Sequence, residues 1–241
     1  MHGPSTFHDL AVPEQLKIVR RGTAYFAQRL VELNDSDLDA PSTLPNWTRK
    51  HVVAHVGYNA DALGRLLDWA ETGVENPMYE SMDERARQIA EGANLGGVEL
   101  RNLFNQSAAR LDEQWRQLSH EGWRAEVRNA KGAAIPAADT VWMRAREVWI
   151  HAIDLGTGAT FDEFPESVLE ALLADVVDSW RNNDLGADLI IEVDGREPVA
   201  VQENSTNTAG VRGSLAAVTQ WAVGRGAGGL SSDAPAPPAW L

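Results

Sequence analysis

Asp139-Thr140-Val141-Trp142-Met143-Arg144-Ala145-Arg146-Glu147-Val148-Trp149-Ile150-His151-Ala152-Ile153-Asp154-Leu155-Gly156 reads as one buried helix. Trp142, Ala145, Val148, Trp149, Ala152, Ile153 and Leu155 cover nearly the whole circumference of a helix. Such a helix is buried among others. It begins at Asp139 or Thr140, and Gly156 ends it. Leu16, Val19, Thr23, Phe26, Leu30 and Leu33 alternate steps of three and four and form the stripe of another helix. Thr48 is placed to N-cap a second one running from Arg49 to about Thr72, with Gly73 at its end. Leu100, Phe104, Ser107, Leu111, Trp115 and Leu118 share one face of a third, preceded by a short helical piece at residues 83–90 and stopped by Gly122. Four helices joined by loops of varying length predict a bundle over residues 1–160.

Past Phe161 the pattern changes. Pro165 stands at a helix start, an amphipathic helix continues through Trp180, and the β-rich run Leu189-Ile190-Ile191-Glu192-Val193 follows. Asp194-Gly195 signals a hairpin with residues 199–201 as the returning strand, and residues 214–223 read as a last helix closed by Gly224. The fold class expected is mainly α with a smaller α/β part: a four-helix bundle over 1–160 and a small α/β domain over 161–241.

Composition narrows the function. Hydrophobic residues at 44% and nine Trp fill real cores, and 35 acidic against 21 basic side chains leave a net charge of -14. That charge repels phosphate backbones and anionic membrane surfaces, so neither nucleic acid nor a membrane is an expected partner. The chain opens on no cationic segment followed by an apolar one, and no apolar run is long enough to span a bilayer, so a cytoplasmic protein is expected. There is no cysteine, hence no disulfide, no thiolate metal ligand and no protein thiol nucleophile.

The chemistry concentrates on two helices. Glu147 and His151 are four residues apart, on one face and one turn from each other. An ionised carboxylate in so apolar a helix is costly unless something positive compensates it, and a metal ion would. The second helix carries His51 and His55, again four apart, with His55 one turn deeper. Two His and one Glu from facing helices match a catalytic zinc site with an open position, whereas His51 as a fourth ligand would close it. His51, at the helix start beside Lys50, reads as solvated or capping, and by spacing alone Glu147 and His151 read first as a hydrogen-bonded core couple or a surface pair and only second as ligands. His2, His8 and His120 fall in terminal or loop positions and need no role.

Trp47-Thr48-Arg49-Lys50-His51-Val52-Val53-Ala54-His55-Val56-Gly57-Tyr58-Asn59-Ala60 and the run from Met143 through Leu155 resemble the mycothiol-dependent maleylpyruvate isomerase family. The likeness extends to Thr6-Phe7-His8-Asp9-Leu10, to Asn76-Pro77-Met78-Tyr79 and to Pro237-Pro238-Ala239-Trp240-Leu241, and is least clear over residues 182–211. It implies a DinB-like four-helix bundle followed by a smaller α/β domain. It also implies zinc ligands at His55, Glu147 and His151, and a catalytic arginine at Arg225 within Gly224-Arg225-Gly226.

The implied activity is cis–trans isomerisation of maleylpyruvate to fumarylpyruvate in gentisate degradation. Its partners are a small dicarboxylate and mycothiol, a low-molecular-weight thiol whose thiolate adds to the double bond, permits rotation and leaves. A borrowed nucleophile agrees with the absence of cysteine. Arg144 and Asp154, three residues from Glu147 and His151, read as supports of the ligands or as members of ordinary ion pairs, and Tyr58 and Asn59 as pocket lining or core. Two other functions share the metal: a DinB-like thiol S-transferase or hydrolase, and a non-catalytic metal-binding module.

Overall fold

Helices form where the apolar period runs in threes and fours, and strands where it alternates. In the computed structural model, residues 6–202, 209–231 and 233–240 are described; His2 and Leu241 lie outside them. The chain forms two compact units, Ala11–Ala159 and the first ten residues together with Thr160–Leu241. The 3-10 turn Phe7–Asp9 packs on the long helix of the second unit, with Phe7 wholly buried, which is why the chain's start goes with that unit.

In the first unit, α1 (Val12–Val31) starts at a proline and buries Leu16, Val19, Phe26 and Leu30. A short α2 (Asp35–Leu38), capped by Asn34, interrupts what reads in sequence as a polar loop. α3 (Arg49–Thr72) ends at Gly73, whose φ of 72° is the left-handed cap that glycine adopts without penalty. α4 (Met82–Gly92) precedes α5 (Gly97–Gln117). α5 stops at Gln117, earlier than the expected Gly122, because Leu118 turns to extended backbone; Gly122 instead opens a 3-10 turn. β1 (Glu126–Arg128) and β2 (Ala134–Pro136) form an antiparallel hairpin that no sequence pattern announces, since three residues are too few to display alternation. α6 (Asp139–Asp154) follows, and its side chains from Val141 through Ala152 are largely buried.

The bundle consists of α1, α3, α5 and α6, with α3 packed most extensively on α5 and α1 on α6. The α1–α6 approach depends on Gly22, where a Cβ would lie 2.6 Å from Trp149 Nε1. At the end nearest the chemistry, Arg49 of α3 donates to the carbonyls of Leu155 (2.6 Å) and Asp37 (3.0 Å), tying the start of α3 to the end of α6. That tie sets the axial register of the two helices that carry His55, Glu147 and His151.

In the second unit, α7 (Glu166–Asn182) begins after Pro165 and packs on α8 (Leu215–Ala222), which Ser214 caps through its side chain. β3 (Leu189–Val193) lies at the centre of a three-stranded sheet. β4 (Val199–Ala200) pairs with it antiparallel after the Asp194-Gly195 turn, and β5 (Ala209–Gly213) pairs with it parallel, Leu189 opposite Ala209 and Val193 opposite Gly213. Trp180 and Trp221 meet edge to face, 5.7 Å between centroids, and their indole N–H groups donate to the carbonyls of Pro238 and Pro235, which seats the proline-rich tail on the core. Among the described residues no helix is long and apolar enough to cross a membrane.

Candidate metal centre

His55 projects from α3, and Glu147 and His151 from successive turns of α6. Their donor atoms form a small triangle: His55 Nε2 is 2.7 Å from Glu147 Oε2 and 3.1 Å from His151 Nε2, and His151 Nε2 is 3.2 Å from the same Glu147 oxygen. The side chains are 6%, 23% and 13% exposed for His55, Glu147 and His151, so the cluster is largely buried and Glu147 is its most accessible member. Trp47 walls it, its ring edge-on to His55 at 5.5 Å.

Each imidazole is held by its second nitrogen. His151 Nδ1 is 2.8 Å from Asp154 Oδ2, and Asp154, completely buried, accepts at its other oxygen from Thr43 Oγ1 at 2.7 Å. A carboxylate only accepts, so His151 carries its Nδ1 proton toward Asp154 and turns Nε2 to the triangle. Behind His55 stands a cation: Arg85 Nη2 lies 3.3 Å from His55 Nδ1.

These surroundings set the charges. Burial is the largest influence on all three groups. For His55 it prevails, over the pull of Glu147, and holds the imidazole below its ordinary pKa. For Glu147 burial raises the carboxyl, but the two imidazoles that face it outweigh burial and hold it well below the ordinary value. For His151 burial lowers the imidazole, and the hydrogen bonds to Asp154 and Glu147 overcome it and push the pKa up to about 9. Without a metal the triangle is therefore one carboxylate, one neutral imidazole and one imidazolium near neutral pH.

The donor set fits a divalent ion. His, His and Glu are the ligands of catalytic zinc, and three donors about 2.05 Å from one tetrahedral centre stand about 3.3 Å apart. The observed 2.7–3.2 Å edges need to open by between about 0.1 and 0.6 Å to reach that spacing. The three donor atoms form a cluster in which all lie within 4.8 Å of one another. His51 is not part of it; its Nδ1 closes the start of α3 against Thr48 N (3.2 Å) and Oγ1 (2.8 Å), the capping role its position suggests.

The neighbouring residues divide between the alternatives the sequence leaves open. Asp154 supports His151. Arg144 forms no ion pair among the described residues: it is 1% exposed and donates to Val56 O (2.6 Å) and Asn59 Oδ1 (3.0 Å) on α3, and burial lowers its pKa to about 10. Asn59 is thereby a core residue, and Tyr58 is half-buried against Gly92 of α4. Arg85 and Tyr79 are additions that sequence reasoning missed, for neither periodicity nor spacing connects them to a histidine 24 or more positions earlier. Arg225 belongs to the second unit, just past α8, between Gly224 (φ 74°) and Gly226 (φ 97°). Its N–H donates to Gln220 O and its Nη1 to Val223 O at 2.8 Å.

Comparison with known proteins bears on this arrangement. The profile of the family described as the mycothiol maleylpyruvate isomerase N-terminal domain matches residues 19–156. A crystal structure of the mycothiol-dependent maleylpyruvate isomerase superposes with a TM-score of 0.94 and 41% identity, covering 98% of this chain and 100% of that one. A histidine-to-alanine mutant of that isomerase matches equally, at TM-score 0.94 and 40% identity with the same coverage. YfiT from Bacillus subtilis, described as a probable metal-dependent hydrolase with an unusual four-helix bundle topology, shares the bundle fold at TM-score 0.50 and 17% identity over 64% of this chain and 91% of its own. No curated protein matches the sequence.

Proposed function

The chain belongs to the mycothiol-dependent maleylpyruvate isomerase family, and on that premise we propose that it converts maleylpyruvate to fumarylpyruvate with mycothiol as the thiol. The divalent ion, zinc in this reading, is held by His55, Glu147 and His151. The observation that carries the proposal is the convergence of those three donors from two helices on one point, in a chain 41% identical to a known isomerase over 98% of its length.

Rotation about an intact double bond is prohibitively slow, so the conjugated bond must become single for a time. The thiol supplies the nucleophile: its thiolate forms a carbon–sulfur bond to one alkene carbon, the electron pair moves onto the conjugated carbonyl, the single bond rotates, and expulsion of the thiolate restores the alkene in trans. When bound, the metal supplies a Lewis acid that favours thiolate at neutral pH or polarises the substrate's oxygens. The protein's own residues orient and exclude. Asp154 keeps the His151 proton on Nδ1, Trp47 and the apolar faces of α3 and α6 keep water from one side, and Arg225 is assigned to a substrate carboxylate, which its guanidinium can grip in bidentate fashion. A cytoplasmic location accompanies this reading, since the thiol is a cellular metabolite.

Purified protein supplied with zinc, mycothiol and maleylpyruvate should show product absorbance rising only when the thiol is present. Equal turnover without any thiol would sink the proposal and leave the hydrolytic alternative. Arg225→Ala should keep stoichiometric zinc and lose activity; full activity in that variant removes the assignment of Arg225.

A further inference from the structure

Arg85 stands beside the triad in a state unlike that of its neighbours. It lies in the first turn of α4, half-buried, with Nη2 3.3 Å from His55 Nδ1 and its guanidinium carbon 5.8 Å from the centroid of Tyr79. Arg65 flanks the same ring at 5.9 Å but is locked by the carbonyls of Pro77 (3.2 Å) and Met78 (3.0 Å). Arg87, two positions along α4, is paired with both Glu84 (2.7 Å) and Glu91 (2.6 Å). Arg85 forms no ion pair among the described residues, in a chain with 35 acidic and 21 basic side chains.

The donor arithmetic at His55 gives this contact a meaning. Arginine has donors only, and a neutral imidazole has one N–H. While Arg85 donates into Nδ1, the proton of His55 is on Nε2, the atom that must offer a lone pair to a metal. Once Nε2 ligates, the proton moves to Nδ1 and two donors face each other across 3.3 Å. Ligation by His55 and its hydrogen bond from Arg85 are therefore mutually exclusive. A ligating histidine ordinarily donates its second N–H to a carboxylate or carbonyl. His151 has Asp154 for that purpose, whereas His55 has only a guanidinium.

We propose that a carboxylate of the substrate fills that place, accepting from the Nδ1–H of His55 and from Arg85, which swings off the imidazole when the metal binds. Arg85 is then a substrate-binding residue of the bundle unit, and dicarboxylate binding is coupled to metal loading. This rests on the reading of the triad as a metal site and of the substrate as a dicarboxylate.

The test uses the full-length protein, Arg85→Gln and Arg85→Lys, with maleate as the probe in calorimetric titrations. Zinc-loaded wild type should bind maleate at least about tenfold more tightly than zinc-loaded Arg85→Gln, the size of one charge-assisted contact, with Arg85→Lys between them. Metal-stripped wild type should bind it at least about tenfold more weakly than the loaded form. Zinc affinity in Arg85→Gln should equal or exceed that of wild type, and the KM for maleylpyruvate should rise more than kcat falls. Equal maleate affinity in the loaded Arg85→Gln protein, equal affinity with and without zinc in wild type, or loss of zinc on substitution each overturns the proposal. A wild type that binds maleate through Arg85 yet shows no thiol-dependent isomerisation would overturn the assigned reaction and leave this anchor standing.

Discussion

His151 and His55 offer the same atom, Nε2, to the same point, yet the side chains behind them are of opposite charge. On the α6 side a buried carboxylate, itself held by Thr43, fixes the tautomer that a metal requires. On the α3 side an arginine favours the other tautomer. The α6 half has its Nδ1 proton already placed and needs only to release the one on Nε2, while on the α3 half Arg85 must leave Nδ1 when an ion arrives. The difference teaches that three converging donors are not equivalent, because what each one's far side accepts or donates decides how readily it ligates.

The severest way to break this comparison is to remove the adjustable half. His55→Ala leaves two donors, both on α6. We expect stoichiometric zinc to be lost and activity to fall by more than about a hundredfold, above the range typical of losing an outer partner; metal analysis and the isomerase assay check it. Zinc retained by this variant would mean that the α6 half alone suffices.

The second test is pH. In the metal-free protein the His151 pKa is raised from 6.5 to about 9, so its stabilising contribution is complete below pH 6.5 and is lost as pH rises through about 9. The depressed Glu147 works in the opposite direction, contributing above its ordinary pKa and failing as pH falls through the lowered one. Metal-free protein should therefore lose stability between pH 6.5 and 9, by on the order of 2 to 3 kcal/mol in the unfolding free energy obtained from urea titrations. Zinc-loaded protein should show little of this decline, because a ligating Nε2 carries no proton. A flat profile without zinc would remove the imidazolium from the α6 half.

Asp154→Asn tests the preset half directly. An amide at that place can offer its N–H to His151 Nδ1 and so reverse the tautomer, and zinc affinity measured by chelator competition should fall about 10–100-fold. Arg85→Gln should cause no such fall, so equal losses in the two variants would erase the asymmetry. The smallest effect is reserved for Thr43→Val, which deletes one hydrogen bond to Asp154. It should cost about 1 kcal/mol in thermal unfolding and less than about tenfold in zinc affinity.

Much of the bundle was legible in the sequence because a helix that buries one face repeats apolar residues at the helical period, as Leu16 through Leu30 and Leu100 through Trp115 do. Caps were legible too, since Thr48, Gly73 and Ser214 act on backbone groups within four residues of themselves. The hairpin of β1 and β2, the four-residue α2 and the parallel β5 were not. Each is too short to show a period, and the partner of β5 lies twenty residues away in sequence at Leu189. Of the centre, the pairing of Glu147 with His151 was visible as a one-turn spacing. That His55 meets them is a contact across 92 positions, which spacing offers as one reading among others and the resemblance implies.

The sequence by itself determined the helices, their buried faces, the exclusion of any protein thiol and the residue types of the centre, because these follow from local periodicity and composition. What stands behind each imidazole of the triangle was left to the tertiary structure. Asp154 and Arg144 each read as a support of a neighbouring residue or as half of an ordinary ion pair, and packing sets Asp154 against His151 while Arg144 binds α3 through Val56 and Asn59; Arg85, with no sequence signal, reaches His55. Those outcomes depend on the distance and angle between helices, and side-chain identity cannot encode which of several donors and acceptors the packing will bring within 3 Å.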